Sequence, residues 1–377
     1  MKKPKLKEIH GALFLKDRIR ISSGFGYASE IKNPDDKFTL LIKTLDGSYN
    51  IDEIIEKCSS QNLTKKDILE AIDMLFKAGY LEDAEMEIPS ELTQDELERY
   101  KVNINFFNTL DNSKMSKYDY QVKLKNSHVS IFGLGGIGSN ICIALLELGV
   151  GKITAVEFDV VEPSNLNRQL LYSTSSIGKS KAEEARKRVA EFNPNVEFNV
   201  IEQRINSVED VRQILTSHPC DVVVNVADFP TGYIDYWVNE ACVEKNVPIF
   251  SAVVAKKQGR IYSVVPNETA CFNCQYLAEL ERCPKIADEV EETRIEIDTD
   301  LGYYRSPNGA LGPTCLFHGY FISYEILRYL LFGSKSLLTF NKRFDIDFLS
   351  FETSWHDLKR MESCEVCNKT VKDTNHG

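Results

Sequence analysis

The stretch from residue 128 to residue 148 joins an apolar run to a glycine-rich turn. His128–Phe132 has the composition of a buried strand, and Ser139–Leu148 has that of a helix. Four glycines lie between them: Gly133, Gly135, Gly136 and Gly138. Glycines let the backbone approach a phosphate group, and the N-terminus of the following helix stabilises its negative charge. The segment therefore predicts a Rossmann-like strand–turn–helix unit that binds a nucleotide.

Acidic residues end a second predicted strand, Lys152–Phe158. Glu157 and Asp159 follow the glycine turn by about 20 residues, where dinucleotide sites place an acid that accepts hydrogen bonds from ribose hydroxyls. Taken alone, this pattern would favour an NAD-dependent oxidoreductase.

The loop after that strand carries side chains of another kind. Its polar residues are one arginine and three amides: Asn165, Asn167, Arg168 and Gln169. An arginine can hold phosphate oxygens through two parallel hydrogen bonds, while amides fix the geometry. This set suits a nucleoside triphosphate and disfavours the oxidoreductase.

On these residues the chain resembles the ubiquitin-activating-type (E1-like, ThiF/MoeB) adenylation family. That family includes the molybdopterin- and thiamine-pathway adenylyltransferases and the microcin C7 maturation enzyme. The resemblance covers roughly residues 95 to 370 and implies ATP, Mg²⁺ and a homodimer. It also implies that Glu157, the first acid of the Glu157-x-Asp159 pair, holds the ribose.

Two further residues acquire roles only through this resemblance. Lys181 lies in a predicted helix from Ile177 to Glu191 and would contact the phosphates, whereas a lysine on a basic helix face is usually only solvated. Asp228 ends the predicted strand Asp221–Val226 and would hold Mg²⁺, which needs one or two carboxylates besides phosphate oxygens. The alternative for Asp228 is an N-cap of the helix Tyr233–Val243.

Ten cysteines in a chain without an export signal argue for metal binding or free thiols rather than disulfides. Two Cys-x-x-Cys pairs stand out: Cys271 and Cys274, and Cys364 and Cys367. Two such pairs complete a tetrahedral zinc site, and a redox pair is the alternative. The resembled family carries the same pairs as a structural zinc site.

The region from 277 to 312 corresponds to the family's crossover loop. Cys283 there lies beside Arg282 and Lys285, which favours a lowered thiol pKa, yet we expect neither Cys283 nor Cys315 to be catalytic. The chain also departs from the family, because Val102 stands where an arginine reaches the partner subunit's triphosphate. Either Lys101 or Arg99 replaces that arginine, or the function is missing.

The N-terminal segment predicts a small domain of short strands followed by three helices. Capping pairs are expected at Asn50 with Glu53 and at Thr64 with Asp67. The segment resembles the PqqD-like winged-helix element, which binds a precursor peptide as an added strand. A winged-helix DNA binder is the alternative, but residues 1–90 contain 14 Lys and Arg against 16 Asp and Glu.

The chain of 377 residues has a net charge of −11, which disfavours nucleic acids and anionic membranes as partners. It has no apolar run of about 18 residues and no signal-peptide core, so we expect a cytoplasmic protein. The predicted domains are 1–85 for peptide recognition, 86–120 as linker and lead-in helix, and 121–377 for adenylation.

The predicted fold is a Rossmann-like doubly wound α/β sheet preceded by a small winged-helix α+β domain. The predicted function is ATP- and Mg²⁺-dependent adenylation of a ribosomally made precursor peptide. The alternatives are activation of the C-terminal Gly-Gly of a ubiquitin-like sulfur carrier and a catalytically inactive peptide-binding scaffold.

Overall fold

The computed structural model describes residues 1–22, 28–110, 115–299 and 309–368, and in the helix 286–299 it leaves the side chains of 293 and 295–299 undescribed. The chain divides into two compact units, Met1–Val122 and Lys123–Gly377. Much of the predicted strand Gly24–Ile31 and part of the predicted crossover loop lie outside the described residues.

The first unit is a small α+β unit. Its strands are β1 (Pro4–Leu6), β2 (Ala12–Phe14), β3 (Arg18–Ile21), β4 (Ser29–Lys32) and β5 (Leu81–Asp83). Its helices are α1 (Thr39–Thr44), α2 (Ile51–Cys58), α3 (Lys65–Lys77), α4 (Gln94–Arg99), α5 (Lys101–Phe107) and α6 (Lys117–Lys125), the last of which crosses the boundary. Strands β2, β3 and β4 form an antiparallel sheet, and β1 pairs with β5.

Local capping sets two helices of this unit. Asn50 and Glu53 form a complete capping box at the start of α2, and Thr64 and Asp67 do the same for α3, which confirms both predicted caps. Buried apolar side chains from the strands and helices then form one core, which includes Ile19, Ile21, Leu41, Ile54 and Ile68.

The second unit is built on a mixed eight-stranded sheet. Its strands are β6 (His128–Phe132), β7 (Lys152–Val156), β8 (Glu197–Ile201), β9 (Val222–Asn225), β10 (Ile249–Ala255), β11 (Gln258–Val264), β12 (Lys342–Asp347) and β13 (Thr353–Asp357). Its helices after α6 are α7 (Gly138–Leu148), α8 (Lys181–Phe192), α9 (Val208–Ser217), α10 (Ile234–Lys245), α11 (Phe272–Arg282), α12 (Ile286–Thr299) and α13 (Gly312–Phe332).

The order of strands in this sheet is β13-β12-β11-β10-β9-β6-β7-β8. Neighbours from β10 through β8 are parallel, and the three strands at the other end are antiparallel. The chain runs outward from β6 to β7 and β8, then returns to the other side of β6 as β9. Ligands of open α/β sheets bind outside the carboxyl ends of strands at such a reversal. The predicted α/β fold class is confirmed.

Several predicted boundaries are wrong by a few residues. The predicted strand Lys152–Phe158 ends at Val156, so Glu157 and Asp159 lie in the loop beyond it. The predicted helix from Ile177 begins only at Lys181, because the Ser180 side chain caps it by accepting from the Glu183 N–H. No helix in the described part of the chain is long and apolar enough to cross a membrane.

Candidate active site and metal centre

The glycine turn links the end of β6 to the start of α7, and its shape depends on two of its glycines. Gly133 has φ +92°, and a Cβ there would lie 3.0 Å from Ala227 Cα. A Cβ on Gly138 would lie 1.9 Å from the carbonyl oxygen of Gly133. Any side chain at either position would therefore displace backbone. A Cβ on Gly135 would meet no atom within 4 Å, so the turn is open on that side.

The Glu157 side chain is hydrogen-bonded to the glycine turn. Its carboxylate is buried and accepts N–H groups from Leu134 at 2.9 Å, Phe158 at 2.8 Å and Asp159 at 2.9 Å. A charged acid buried at this depth needs such donors. A ribose hydroxyl would have to use the lone pairs that remain, so ribose binding by Glu157 stays a prediction.

The polar loop lies against the glycine turn. A Cβ on Gly136 would lie 3.1 Å from Arg168 Cδ, and Arg168 Nη1 donates to the Ser164 carbonyl and to Asn167 Oδ1, both at 2.8 Å. Asn140, in the first turn of α7, donates from Nδ2 to the Gly136 carbonyl at 2.6 Å and to the Arg168 carbonyl at 3.1 Å. The turn and the arginine loop are thus held together by one buried amide.

The other amides of the loop differ in whether their polar atoms are bonded within the protein. Asn165 is buried and accepts the Glu162 N–H at 3.0 Å, which fixes the loop's own conformation. Gln169 is buried with an Oε1 that has no hydrogen-bond partner among the described residues. Asn167 is exposed. Asn167 and Gln169 therefore both have groups left for a ligand.

Lys181 and Asp159 form an ion pair at the edge of the same region. Lys181 Nζ lies 3.1 Å from Asp159 Oδ2, with the lysine side chain 7% exposed and the aspartate 53% exposed. The Lys181 N–H also donates to the Asp159 carbonyl at 2.9 Å. The Lys181 ammonium is therefore held by the loop after β7 and is not a freely solvated charge of α8.

Asp228 lies in the loop after β9 and is exposed. The same loop contacts the glycine turn, because the Val226 N–H donates to the Phe132 carbonyl at 3.1 Å and Ala227 lies over Gly133. Helix α10 begins at Ile234 after Tyr233, so Asp228 is not its N-cap and that alternative is wrong. The carboxylate is thus free to meet a ligand next to the turn.

Two neighbours of Asp228 were not singled out from the sequence. Asn225, the last residue of β9, donates from Nδ2 to Asp235 Oδ1 at 2.7 Å. Burial raises the pKa of Asp235 to about 6, and the nearby charge of Asp228 adds to this effect. In the sequence Asn225 looks like the end of an apolar strand and Asp235 like an ordinary acid in the first turn of a helix.

A third cation also lies at this edge of the sheet. The Arg204 guanidinium carbon lies 4.2 Å from the ring centroid of Phe229 and 5.9 Å from that of Phe158. These three residues follow β8, β9 and β7. The sequence does not predict their contact, because each residue follows a different strand.

These groups suit a triphosphate with a divalent cation. The open glycine turn and the N-terminus of α7 offer backbone N–H groups, and the exposed Asp228 offers a hard oxygen next to them. Arg168 and Lys181 supply the positive charge that phosphates need. The residues present therefore fit both groups.

The two Cys-x-x-Cys pairs meet in the structure. All four sulfur atoms lie within 4.8 Å of one another, and all four residues are buried. Cys271 Sγ lies 3.8 Å from Cys274 Sγ and 3.6 Å from Cys364 Sγ, and Cys274 Sγ lies 3.4 Å from Cys367 Sγ. Zinc–sulfur bonds of about 2.3 Å in a tetrahedron require sulfur atoms about 3.8 Å apart, so the cluster fits zinc.

Donors around the cluster also suit thiolates. The Met361 N–H donates to Cys274 Sγ and Asn273 Nδ2 donates to Cys364 Sγ, both at 3.4 Å. Hydrogen bonding from Cys271 lowers the pKa of Cys364, which favours the deprotonated form that a metal binds. A four-thiolate site leaves no open coordination position, so its role is structural.

The remaining cysteines of interest lie apart from each other. Cys283 is exposed just after α11. Cys315, in the first turn of α13, is buried, and its sulfur lies 3.0 Å from the Cβ that Gly136 would have. Burial raises the pKa of Cys315, which disfavours a reactive thiolate. Val102, at the position of the family's arginine, is exposed on α5.

A family model described as the ThiF family matches residues 103–368, which is most of the chain. The chain belongs to the ThiF family.

Curated relatives align with part of this ThiF-family chain. The adenylyltransferase and sulfurtransferase MOCS3 of Drosophila persimilis is 36% identical over 157 residues, which are 41% of this chain and 34% of that protein. The sulfur carrier protein adenylyltransferase of Thermus thermophilus is 38% identical over 162 residues, which are 41% of this chain and 58% of that protein. The alignments thus span 34% and 58% of these relatives' lengths.

Solved structures match nearly the whole chain. Escherichia coli MccB has a TM-score of 0.70 at 23% identity, with 97% of each chain covered. A crystal structure of the same protein with AMPCPP and the selenomethionine form of MccA has a TM-score of 0.70 at 22% identity, with 97% of this chain and 99% of that chain covered. At these identities the match establishes a shared fold.

Proposed function

We propose that this ThiF-family protein uses ATP and Mg²⁺ to adenylate a ribosomally made precursor peptide. The observation that carries the proposal is the convergence of the glycine turn, Arg168, Lys181 and Asp228 at the reversal between β6 and β9. Each group comes from a different segment of the chain, and together they provide the donors and positive charge that bind phosphates and the carboxylate that binds a cation. The retained charges also argue against an inactive scaffold.

The chemistry is a nucleotidyl transfer. A carboxylate of the peptide, or a side-chain amide that loses a proton to solvent, attacks the α-phosphorus. A new bond to phosphorus forms, and the bond from that phosphorus to the bridging oxygen breaks as pyrophosphate leaves. Such a reaction depends mainly on positioning and on neutralising charge. Mg²⁺, when bound, neutralises phosphate charge and aligns the leaving group.

The chain's own residues divide this work. Backbone N–H groups of the glycine turn bind phosphate oxygens, and Glu157 keeps that turn in shape. Arg168 is within reach of the turn and can exchange its bonds to the Ser164 and Asn167 oxygens for phosphate oxygens. Lys181, fixed by Asp159, provides a second positive charge, and Asp228 holds the cation.

The first unit supports a peptide as the substrate. Strand β4 pairs with β3 only, among the described residues, so its other edge is free to accept an added strand. Ser29 of β4 is hydrogen-bonded to Tyr80, just after α3, and α3 exposes the apolar side chains of Leu69, Met74 and Phe76. The structural match to MccB, which has been crystallised with MccA, extends over this unit as well.

Two further assignments belong to the proposal. We place a structural zinc ion in the four-cysteine cluster, where it would tie the C-terminal segment to the start of α11. We also expect a homodimer, as the family resemblance implies.

The second candidate is activation of a sulfur carrier. It is favoured by the curated relatives, which include a sulfur carrier protein adenylyltransferase of 38% identity. The substrate would then be a folded ubiquitin-like protein ending in Gly-Gly, and the first unit would have no evident role in binding it.

Pyrophosphate release tests the proposal. The protein, supplied with MgATP, should release pyrophosphate only when a short precursor peptide is added, and any short open reading frame next to its gene supplies the first candidate. Arg168→Ala and Asp228→Ala should each lower that rate about 100-fold or more, because each removes charge neutralisation from the transition state.

Arg186→Ala is the matched control for that experiment. Arg186 lies exposed on α8 in an ion pair with Glu202, so its loss should leave the rate nearly unchanged. Undiminished turnover in Arg168→Ala and Asp228→Ala would contradict the assigned roles. Release that depends on a Gly-Gly-ending carrier protein and not on the peptide would favour the second candidate.

A further inference from the structure

Beside Asp228, the carboxyl end of β9 carries an arrangement of oxygen atoms that the proposed function does not use. Asn225 Nδ2 donates to Asp235 Oδ1 at 2.7 Å. Asp235 lies in the first turn of α10, at the other end of the segment that carries Asp228. The hydrogen bond from Asn225 brings the Asp235 carboxylate to the end of β9, three residues before Asp228.

The buried amide of Asn225 points to a ligand at this place. Asn225 is 3% exposed, and its Oδ1 has no hydrogen-bond partner among the described residues. A buried amide oxygen without a donor costs free energy unless an ion, a water or a ligand meets it. The Nδ2 of the same amide binds Asp235, so the free oxygen is held at this end of β9.

The chemistry of the three groups selects the class of ligand. Two carboxylates and one amide oxygen are all hard oxygen acceptors without a proton to donate at neutral pH, which is the donor set of Mg²⁺ and similar cations. A phosphate would be repelled by them. An organic cation such as a lysine side chain would be accepted by the carboxylates, but Mg²⁺ best explains why they adjoin a phosphate-binding turn.

We propose that Asp235 is a second carboxylate of the divalent-cation site, with the Asn225 amide fixing it in place and turning its own oxygen toward the ion. The inference rests on the proposed function, in which Asp228 holds that cation. It changes the site from a single exposed carboxylate to a pair, one exposed and one half-buried. A cation held by both ends of the β9–α10 loop would also order that loop over the glycine turn.

Binding of Mn²⁺ tests this directly, without turnover. Electron paramagnetic resonance measures free Mn²⁺, and the full-length protein is titrated in the presence of a non-hydrolysable ATP analogue. Asp235→Asn keeps an oxygen that can accept from Asn225 but lacks the charge. It should weaken Mn²⁺ binding about tenfold or more.

The controls show whether Asp235 binds the metal ion or only maintains the fold. Glu240→Gln removes a negative charge elsewhere on α10, where Glu240 pairs with Arg212, and should change Mn²⁺ affinity less than about twofold. The affinity for the analogue alone, measured in EDTA, should not fall in Asp235→Asn. A variant with a distorted fold would lose both affinities. Asp235→Ser, assayed in the same way, repeats the test if Asp235→Asn folds poorly.

Asp228→Asn distinguishes a failure of this inference from a failure of the proposed function. If Asp228→Asn and Asp235→Asn both lose Mn²⁺ affinity, the inference holds. If Asp228→Asn loses it and Asp235→Asn binds like the wild type, the inference is overturned while the proposed function stands. If both bind like the wild type, the cation does not bind here and both are overturned.

Discussion

The carboxylate of Asp235 makes the folded chain less stable at neutral pH than a neutral side chain would. Burial, with a contribution from the charge of Asp228, raises its pKa from 3.8 to about 6. The folded state therefore binds this proton more tightly than the unfolded state does. The protonated Asp235 carboxyl group therefore stabilises the fold fully at pH values below its unfolded pKa of 3.8. This contribution is lost as the pH rises through about 6.

Asp235→Asn should therefore stabilise the metal-free protein at alkaline pH. Its free energy of unfolding, measured by urea denaturation in EDTA, should exceed that of the wild type at pH 8. The difference should shrink by up to about 3 kcal/mol as the pH falls to 4, since one pKa unit corresponds to about 1.4 kcal/mol. Asp357→Asn, which removes an exposed carboxylate on β13, is the control for the loss of a charge. A difference between Asp235→Asn and wild type that does not vary with pH would contradict the expectation.

At the scale of elements, sequence-based prediction succeeds where the cause is local. The capping boxes at Asn50 and Thr64 depend on residues three positions apart, and both form as expected. The start of α8 depends on tertiary contacts, and its predicted position is wrong. Helix α8 begins after its predicted start because residues 178–180 instead pair with the segment after β7, where the Val161 carbonyl accepts the Gly178 N–H at 2.9 Å.

The free edge of β4 allows a precise test of peptide binding. Residues of an antiparallel ladder alternate between inward and outward hydrogen bonding. The Asn33 N–H donates to the Asp17 carbonyl at 2.7 Å, so Ile31 also bonds inward to β3 while the N–H of Glu30 points to the free edge. Glu30→Pro removes that donor without breaking the existing ladder.

We expect Glu30→Pro to weaken binding of a fluorescent precursor peptide about tenfold, measured by anisotropy. The loss corresponds to roughly one hydrogen bond. Glu30→Ala keeps the N–H and should bind nearly as well as wild type. Phe14→Pro removes an outward N–H from β2, on the opposite edge of the sheet, and should also bind normally. Weakening by Phe14→Pro and not by Glu30→Pro would place the peptide on the other edge.

For the whole molecule, the sequence indicates which residue types are present but not which of them meet. The Cys-x-x-Cys pairs were recognisable because each is a local pattern with a known chemistry. Asn225 and Asp235 carry no local pattern, and only the turn of the chain after β9 brings Asp235 back to Asn225. Glu157 was predicted only as the acid that holds the ribose, and its three N–H donors come from backbone whose geometry no composition predicts.

The four-cysteine cluster should contribute to the stability of the whole second unit. Cys271 and Cys364 are 93 positions apart, so a metal that joins them closes a long loop of chain. Closing a loop of that length reduces the entropy of the unfolded state by the equivalent of about 4 kcal/mol. For a unit of this size, the loss of zinc should lower the melting temperature by about 10 °C. Calorimetry on Cys364→Ser and Cys367→Ser measures this shift.

The number of zinc ions per chain shows whether a lower melting temperature results from the loss of zinc. Elemental analysis of the purified wild type should give about one zinc per chain, and Cys364→Ser should have almost none. Cys283→Ser is the matched control, because that thiol is exposed and outside the cluster, and it should keep both the zinc and the melting temperature. A redox pair would behave differently: the wild type would lack zinc, and its melting temperature would depend on added dithiothreitol. That result would replace the metal by disulfides within the Cys-x-x-Cys pairs, which would not link α11 to the C-terminal segment.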